Sequence, residues 1–387
     1  MKPPYVLVIG KWRDDVFAGL FFDALPADLR RHVRILEFGH DSLTRALGGA
    51  AAVIVMRHGL FSFGHLARCA GWARVPRYYF LDDNLMLLSR EPEVYGDSWS
   101  AYTDANVRDA LRGFDGVLLA SRPLMQYFEA HRLHRTLIDY PPIAGPILRR
   151  RDTGYRREAG EPFRIAFFGG EHRRDVFADT VYPAVQRLAA TDRVELVLAG
   201  IDAAALPPAP DHLRVVALSY ERRYGAALAG LARHRIDVLV HPTPLSRNNP
   251  YKNANVLINA RSIGAVPVLS RLPPYDELGS PPPAVLCEND AAAWHAALVR
   301  LSREPDLCRD VFAATSSYCD QHFSGASNAG AIEAILARHA PPTRWTRAAR
   351  RIVASAPLGF DRALVHAKAL ARRSALVRGA VRRLRHA

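Results

Sequence analysis

At 387 residues, of which 49% are apolar, the chain exceeds the length that one hydrophobic core usually serves, so two domains are expected. The formal net charge is +14, but residues 343–387 carry twelve Lys and Arg against one acid, Asp361, and so account for +11 of it. The rest of the chain is nearly neutral, which argues against a nucleic-acid-binding protein. The sequence also lacks the roughly 18 consecutive apolar residues of a membrane-spanning helix.

Cysteine usage and the N-terminal residues both favour a cytoplasmic protein. The four cysteines show no zinc-site or redox-motif spacing, so we expect reduced, structural thiols. Only six apolar residues precede Lys11, too few for a signal-peptide core or a spanning helix. The expected location is therefore the cytoplasm, with peripheral attachment to the inner membrane as an open alternative.

The first half of the chain contains short apolar runs separated by amphipathic stretches of helical period. This pattern is typical of parallel strands joined by crossover helices. A stretch dense in Pro, Gly and Arg, residues 140–162, then indicates a linker. We assign residues 1–150 to a first domain. Its predicted strands span residues 5–10, 33–38, 51–56, 77–83 and 116–121.

The second half repeats the alternation and predicts a second domain over residues 160–335. Together the halves predict an α/β protein of two doubly wound, Rossmann-like domains that face each other across a cleft. Ligands of such sheets bind at the carboxyl ends of the strands. The predicted strands of the second domain span residues 163–170, 194–200, 213–218, 236–242 and 266–270.

The C-terminal tail, residues 343–387, has its own pattern. Apolar residues recur at helical spacing from Trp345 to Ala356, and arginines occupy the other faces. A basic amphipathic helix of this kind fits an anionic membrane surface. A helix pair packed on its own domain with a solvated basic face explains the pattern equally well, so both interpretations stay open.

Lys252 and Asn253 stand at the predicted start of a helix in the stretch "NPYKNANVLINARSIGAVPVLS". The unpaired N–H groups of a helix start, with a lysine beside them, suit a phosphate. These two residues are therefore a candidate diphosphate clamp. The alternative is a lysine that is simply solvated.

A glycine-bearing turn, "FFGGEHRRDVF", follows the first strand of the second domain. Gly169 and Gly170 permit close approach of a ligand to the backbone, and Arg173 or Arg174 could reach its negative charge. The turn has neither the dinucleotide fingerprint nor the P-loop pattern. An ordinary strand-to-helix turn is the alternative.

These two segments resemble the donor-binding domain of the retaining GT-B glycosyltransferases of group 1, in the branch that builds bacterial surface polysaccharides. His172 and Asp175 match the family's His and Asp after the glycine turn. Upstream, "VIVMRHG" and "YYFLDDNL" are similar to strand ends of its first domain. The resemblance covers residues 50–335 and is most specific over 163–278.

The sequence departs from the family pattern at two site positions. The family's Lys-Ser pair is Lys252-Asn253 here, and the carboxylate that grips the donor ribose is replaced by Asn259. An asparagine can still hydrogen-bond a hydroxyl, but without charge assistance the contact is weaker by about 1 kcal/mol. These departures raise the alternative of a non-catalytic sugar- or nucleotide-binding relative.

The resemblance implies transfer of a sugar from a nucleotide diphosphate donor to a glycan or lipid-linked acceptor, with retention of configuration. Lys252 and Arg173 would act in catalysis by stabilising the departing diphosphate. No metal ion or other cofactor is required for this, and no clustered Asp-x-Asp is present. The remaining donor-binding candidates are Gly169, Gly170, His172, Asn253 and Asn259.

The first domain supplies candidates for the acceptor side of the cleft. Arg57 and His58 could contact the donor anion; the alternative, which the sequence favours for each, is a structural strand-end residue. Asp82 and Asp83 could bind acceptor hydroxyls, or they could cap a helix, since aspartate is favoured at helix starts. A sugar-nucleotide epimerase of the same fold would need an acid and base pair, and the sequence offers no convincing one.

Overall fold

The structure is a computed structural model that describes residues 4–11, 13–37, 43–57, 75–145, 155, 157, 160–339, 343 and 346–347. His58 and nearly all of the predicted tail 343–387 lie outside the described residues. The described chain forms two sheets, each of six parallel strands. The predicted α/β class is therefore confirmed.

The first sheet has the strand order β2-β1-β3-β4-β5-β6. Strands β1 and β3 lie at its centre and are buried along their whole length, because helices cover both faces of a doubly wound sheet. This double burial explains their uninterrupted apolar sequences. The strands are β1 (Val6–Gly10), β2 (Val33–Glu37), β3 (Ala52–Met56), β4 (Arg77–Leu81), β5 (Gly116–Leu119) and β6 (Leu137–Asp139).

The second sheet has the order β12-β11-β10-β7-β8-β9. In the register, Val238 of β10 pairs with both Ile165 and Val266, so β10 lies between β7 and β11. The strands are β7 (Phe163–Phe168), β8 (Val194–Ala199), β9 (Arg214–Ala217), β10 (Val238–His241), β11 (Val266–Ser270) and β12 (Val285–Cys287).

All ten strands predicted from the sequence are present, and two further strands were not predicted. β6 and β12 have three residues each, which is too short for an alternation or an apolar run to stand out. Both lie at sheet edges. Their position depends on pairing with a neighbouring strand rather than on a local signal.

Helices connect the strands and cover both sheets. Two π-helical turns, Gly19–Asp23 and Phe177–Val181, continue the short helices Val16–Ala18 and Arg174–Val176. The helices are α1 (Val16–Ala18), α2 (Ala27–Arg30), α3 (Leu43–Gly49), α4 (Leu85–Leu88), α5 (Pro92–Tyr95), α6 (Asp104–Leu111), α7 (Arg122–Ala130), α8 (Arg174–Val176), α9 (Tyr182–Ala189), α10 (Tyr224–Arg233), α11 (Asn255–Ile263), α12 (Ala291–Arg303), α13 (Pro305–His322) and α14 (Ala326–Arg338).

The last helix, α14, returns to the first sheet. Asn328 donates to the Pro141 carbonyl at 2.8 Å, and the Tyr78 hydroxyl contacts His339 Nε2 at 2.9 Å. Tyr140, at the start of the predicted linker, is completely buried. The two sheets are thus joined by packed apolar contacts as well as by the chain between them. Within the described residues, none of the helices is long and apolar enough to span a bilayer.

Candidate active site

Arg57 holds an acidic pair at the strand ends of the first sheet. Arg57 follows β3, and Asp82 and Asp83 follow the adjacent strand β4. The arginine forms an ion pair with each aspartate: Nη1 lies 3.2 Å from Asp82 Oδ1, and Nη2 lies 2.7 Å from Asp83 Oδ2. The helix that follows, α4, has Asn84 as its N-cap and no side-chain cap hydrogen bond. The capping interpretation of the two aspartates is therefore wrong, and they face Arg57 instead.

The two carboxylates differ in protonation. One guanidinium can neutralise only one of two buried carboxylates, so the second retains its proton more readily. Burial raises the pKa of Asp82 to about 7, against the opposing effect of Arg57. Burial acts on Asp83 as well, but Arg57 and Lys252 outweigh it and hold its pKa at about 2. Asp83 is thus the charged member of the pair at neutral pH.

Arg173 is a buried cation at the glycine turn of the second sheet. Gly169 and Gly170 follow β7, and a 3-10 turn, Glu171–Arg173, precedes helix α8. Arg173 is only 6% exposed. Its Nη1 donates to the Pro242 carbonyl at 2.9 Å and to Thr243 Oγ1 at 3.0 Å.

The partners of Arg173 are neutral. Among the described residues, no carboxylate forms an ion pair with its guanidinium, and burial lowers the pKa of Arg173. Arg174, the alternative phosphate ligand, is instead a surface residue that pairs with Glu171 at 2.6 Å and Asp175 at 2.9 Å. Asp83 acts on Arg173 only from a distance. Burying a cation without an ion-pair partner is energetically costly, so an anion bound at Arg173 would offset that cost.

The glycine turn is packed against a third glycine that the sequence did not single out. A Cβ on Gly169 would lie 2.8 Å from the Phe167 ring and 3.2 Å from Arg173 Cδ, and one on Gly200 would lie 1.9 Å from the Gly169 carbonyl oxygen. Gly200, directly after β8, has φ +97°. The ends of β7 and β8 therefore approach so closely that side chains are excluded at both glycines, and Arg173 Cδ packs against Gly169.

Lys252 lies opposite Arg57 and Asp83, beside the start of helix α11. The helix begins at Asn255, after the 3-10 turn Asn249–Tyr251. The Lys252 side chain is 15% exposed, with Nζ 3.9 Å from Asp83 Oδ1 and 5.2 Å from the centre of the Tyr95 ring. The interpretation of Lys252 as a simply solvated lysine is therefore wrong.

Two asparagines of the predicted site have protein partners. Asn253 Oδ1 accepts from the Asn255 N–H at 3.2 Å, so it supports the helix start. Asn259 is buried, and its Oδ1 accepts from the Tyr224 hydroxyl. Since Tyr224 uses one of the two lone pairs of that oxygen, Asn259 would offer a ribose its amide N–H groups and one acceptor position, without the negative charge of a carboxylate.

Two histidines lie next to these cations and are neutral. Burial, together with the charges of Arg173 and Lys252, lowers the pKa of His172 to about 3. His241, at the end of β10, was not predicted from the sequence. Burial lowers its pKa well below the usual value, with Arg173 and Lys252 contributing, and its buried Nδ1 has no hydrogen-bond partner among the described residues. Neutral imidazoles can donate or accept hydrogen bonds here without adding charge.

The loop before Lys252 is bound to the first sheet's domain by a polar cluster that the sequence did not predict. Glu91 accepts from Ser246 Oγ at 2.6 Å and from the Arg247 N–H at 2.8 Å. Asn248 donates to Asp83 Oδ1 at 2.9 Å and accepts from the Asn84 N–H at 2.8 Å. We call Glu91, Asn84, Ser246, Arg247 and Asn248 the interdomain clasp. The bonded partners from the two domains are 155 or more residues apart in sequence, so no local pattern could reveal it.

The structure thus brings together Lys252, Arg173, His172, Asp82 and Asp83 at the facing strand ends, and Arg57 with them. The three cations, Arg57, Arg173 and Lys252, outnumber the two carboxylates, and Asp82 holds its proton more tightly than Asp83. Such a site can bind an anion through buried charged donors. His58 lies outside the described residues. In the described part of the chain, no group of three His, Cys, Asp or Glu side chains is placed to hold a metal ion.

Comparison with known proteins supports the fold. Neither family models nor curated proteins gave a match to this sequence. Among solved structures, it is similar to Anabaena HepE in complex with UDP and glucose, at 12% identity and TM-score 0.57, over 86% of this chain and 99% of that one. Sucrose-phosphate synthase from Thermosynechococcus elongatus is 14% identical, with TM-score 0.56, over 87% of this chain and 98% of that one.

These likenesses, at such low identity, concern the fold alone. The two parallel six-stranded sheets, with their strand ends turned towards each other, form the two-domain Rossmann-like GT-B architecture of these neighbours. The predicted fold class is confirmed in this respect. Any activity of this chain depends on the residues of the site.

Proposed function

We propose that this protein is a glycosyltransferase that takes a sugar from a nucleotide diphosphate donor. The observation that carries the proposal is the buried Arg173, which has only neutral hydrogen-bond partners and lies, like Lys252, close to His172 and His241. A diphosphate would supply the missing negative charge. The neighbouring structures add support, since HepE is described in complexes with UDP and with UDP-glucose.

In this proposal Lys252 and Arg173 act in catalysis. As the bond to the sugar breaks, negative charge grows on the β-phosphate, and fixed cationic donors stabilise it at that moment. The amides of Gly169 and Gly170 lie on the same turn as Arg173. We place His172, Asn253 and Asn259 at the donor nucleotide or sugar, and no metal ion or other cofactor is needed for charge stabilisation. We expect the acceptor to attack the donor sugar from its front face, with retention of configuration.

Acceptor binding falls to the first domain. Asp83 is ionised and sits across from Lys252, where its carboxylate can accept hydrogen bonds from sugar hydroxyls, while Arg57 fixes it. The acceptor in our proposal is a glycan or lipid-linked intermediate of surface polysaccharide synthesis in the cytoplasm. Residues 343–387 would hold the enzyme at the anionic inner membrane surface.

The donor half of the proposal is tested by a nucleotide-sugar hydrolysis screen that measures nucleoside diphosphate release. Slow hydrolysis does not require the acceptor to be known. Lys252→Ala should weaken UDP binding, measured by calorimetry, by about 1.5 to 3 kcal/mol, because a charged hydrogen bond is lost. Equal UDP affinity in this variant and the wild type would refute the proposed clamp.

The membrane half is tested by fractionation and salt washing of the full chain and of a chain lacking residues 343–387. Screening of the basic tail by salt should release the full chain from anionic vesicles. Identical partitioning of the two forms would rule out tail-mediated attachment.

A second candidate function is a non-catalytic nucleotide- or sugar-binding protein of the same fold. It is favoured by Asn259, whose side-chain oxygen is already bound to Tyr224. Saturable binding of nucleoside diphosphates without release of product from any donor of a broad panel would support this candidate over the enzyme.

A further inference from the structure

Tyr95 of the first domain lies against the cationic residues of the second. The centre of its ring is 5.2 Å from Lys252 Nζ and 5.8 Å from the centre of the His172 ring. Tyr95 is also near enough to Arg173 to act electrostatically on its guanidinium. Three candidate residues of the donor site are therefore neighbours of one aromatic side chain that comes from the other domain.

The local sequence fixes where Tyr95 stands. Helix α5 is one turn long, with Pro92 as its first residue and Tyr95 as its last, and the Tyr95 N–H donates to the Glu91 carbonyl at 3.0 Å. Gly96 then has φ +74°, a backbone conformation that glycine adopts without strain. The chain leaves the helix directly after Tyr95, so this tyrosine stands at the helix end that meets the second domain.

A chain of hydrogen bonds holds the outer end of the Tyr95 side chain. The Tyr95 hydroxyl donates to Ser246 Oγ at 2.9 Å, and Ser246 Oγ donates to Glu91 Oε2 at 2.6 Å. Glu91 is the residue directly before α5, so these bonds return to the helix that carries Tyr95. The ring is thus fixed both at its backbone and at its hydroxyl.

Lys252 has two neighbours from the first domain that act on it in different ways. Asp83 Oδ1 lies 3.9 Å from Lys252 Nζ, and its negative charge competes with a diphosphate for the ammonium group. An aromatic face attracts a cation through the ring quadrupole but carries no net charge. The Tyr95 ring therefore restrains the lysine and leaves its positive charge available to an anion. Because a long side chain loses rotamer freedom when it binds a ligand, a lysine that is already restrained binds more tightly.

We propose that Tyr95 is a positioning residue of the donor site, whose ring holds the Lys252 ammonium in place for the diphosphate of the donor. The inference rests on the proposed function, since it assumes that Lys252 binds this diphosphate. It extends that function by giving a first-domain side chain control over the affinity of a lysine that the second domain supplies.

Calorimetric titration of UDP against the full chain and three tyrosine variants tests the role of the ring. Tyr95→Leu removes the aromatic face and should weaken UDP binding about five- to tenfold. Tyr95→Phe keeps the ring and loses only the hydroxyl contact to Ser246, so its affinity should stay within about twofold of the wild type. Tyr318→Leu is the matched control: it removes a tyrosine that stacks on His322 of the same helix α13, and it should bind UDP normally.

A double-mutant cycle with Lys252→Ala shows whether Tyr95 acts through the lysine. In the Lys252→Ala background, Tyr95→Leu should cause no further loss of UDP affinity, because the partner of the ring is already absent. A general effect of Tyr95 on the packing between the domains would persist in that background and would overturn the inference. Unchanged affinity in Tyr95→Leu, or equal losses in Tyr95→Leu and Tyr95→Phe, would overturn it as well.

The wild type separates the inference from the proposed function on which it rests. A wild-type chain that does not bind UDP would overturn the proposed function and the inference together, whereas UDP binding that is insensitive to Tyr95→Leu would overturn the inference alone. Cooperative thermal unfolding shows that each variant is folded. Tyr95→Met takes the place of Tyr95→Leu if the leucine variant is not.

Discussion

Arg173 and Arg174 are neighbours in sequence with opposite environments. Arg173 is buried against a carbonyl and a hydroxyl, whereas Arg174 forms surface ion pairs with Glu171 and Asp175. Surface pairs of this kind contribute little to stability. The buried arginine, by contrast, carries a desolvation cost that a bound anion would offset. Arg173 is therefore assigned to the candidate site and Arg174 to the surface.

Arg173→Gln should weaken UDP binding by about 1.5 to 3 kcal/mol, since a charged donor to the diphosphate is replaced by a neutral one. The same change should leave thermal stability unchanged or raised, because a buried unpaired charge is removed while a donor remains. Calorimetric UDP titration and thermal unfolding measure the two effects. Arg174→Gln is the matched control and should bind UDP normally; equal losses in both variants would contradict the assignment.

Asp82 gives the folded protein a pH dependence whose sign is fixed by its raised pKa. Because the folded pKa is about 7 and that of an unfolded aspartate is about 3.9, the folded state holds the proton more tightly. This stabilisation is complete below about pH 4 and is lost as the pH rises to about 7, with an upper bound of about 4 kcal/mol.

Asp82→Asn should remove this loss, so its free energy of unfolding relative to the wild type should rise between pH 4 and 8. Urea unfolding across this pH range measures the difference. Asp109→Asn, whose side chain lies on the surface of helix α6, serves as the control, and its difference from the wild type should be constant between pH 5 and 8. A flat profile for Asp82→Asn would show that Asp82 is ionised throughout.

At the scale of elements, the loop between β10 and α11 is positioned from the other domain. Glu91 accepts two hydrogen bonds from this loop, and Asn248 links it to Asp83 and Asn84. Ser121 adds a third point of attachment, since its hydroxyl donates to the Tyr251 carbonyl at 2.6 Å. The position of Lys252 therefore depends on contacts that the first domain supplies.

Glu91→Ala should loosen this loop and weaken UDP binding, because the Ser246 and Arg247 donors lose their acceptor. We expect faster hydrogen exchange at residues 246–252 and an affinity loss of about 1 to 2 kcal/mol. Glu93→Ala, at an exposed position of the same helix α5, is the control and should change neither. Exchange that increases equally in both variants would mean that the clasp does not hold the loop.

For the whole molecule, one buried apolar cluster includes residues of both halves. Phe80 and Leu118 of the first sheet belong to it, as do Leu257 of α11 and Ile332 of α14, with Tyr140 between them. Because the two halves share this core, neither can lose its packing without exposing the other. Two further buried clusters belong to one sheet each, so this shared cluster is what links the interiors of the two halves.

Thermal unfolding should accordingly give a single calorimetric transition, and UDP should move the whole transition to higher temperature. Differential scanning calorimetry with and without UDP measures both. Two resolved transitions, of which UDP shifts only one, would contradict the shared core and describe two independently stable domains.

The sequence by itself determined the ten longer strands, the two-sheet α/β class and the glycine turn with Lys252, because burial period and turn chemistry are local properties. It missed β6, β12, Gly200, His241 and the interdomain clasp. It also left open whether Arg173 or Arg174 turns inward, and whether Asp82 and Asp83 cap a helix. Only the tertiary structure decided these points, since each depends on burial and on partners that are distant in the chain. In a buried site, the cost of desolvation decides which charges have to be paired.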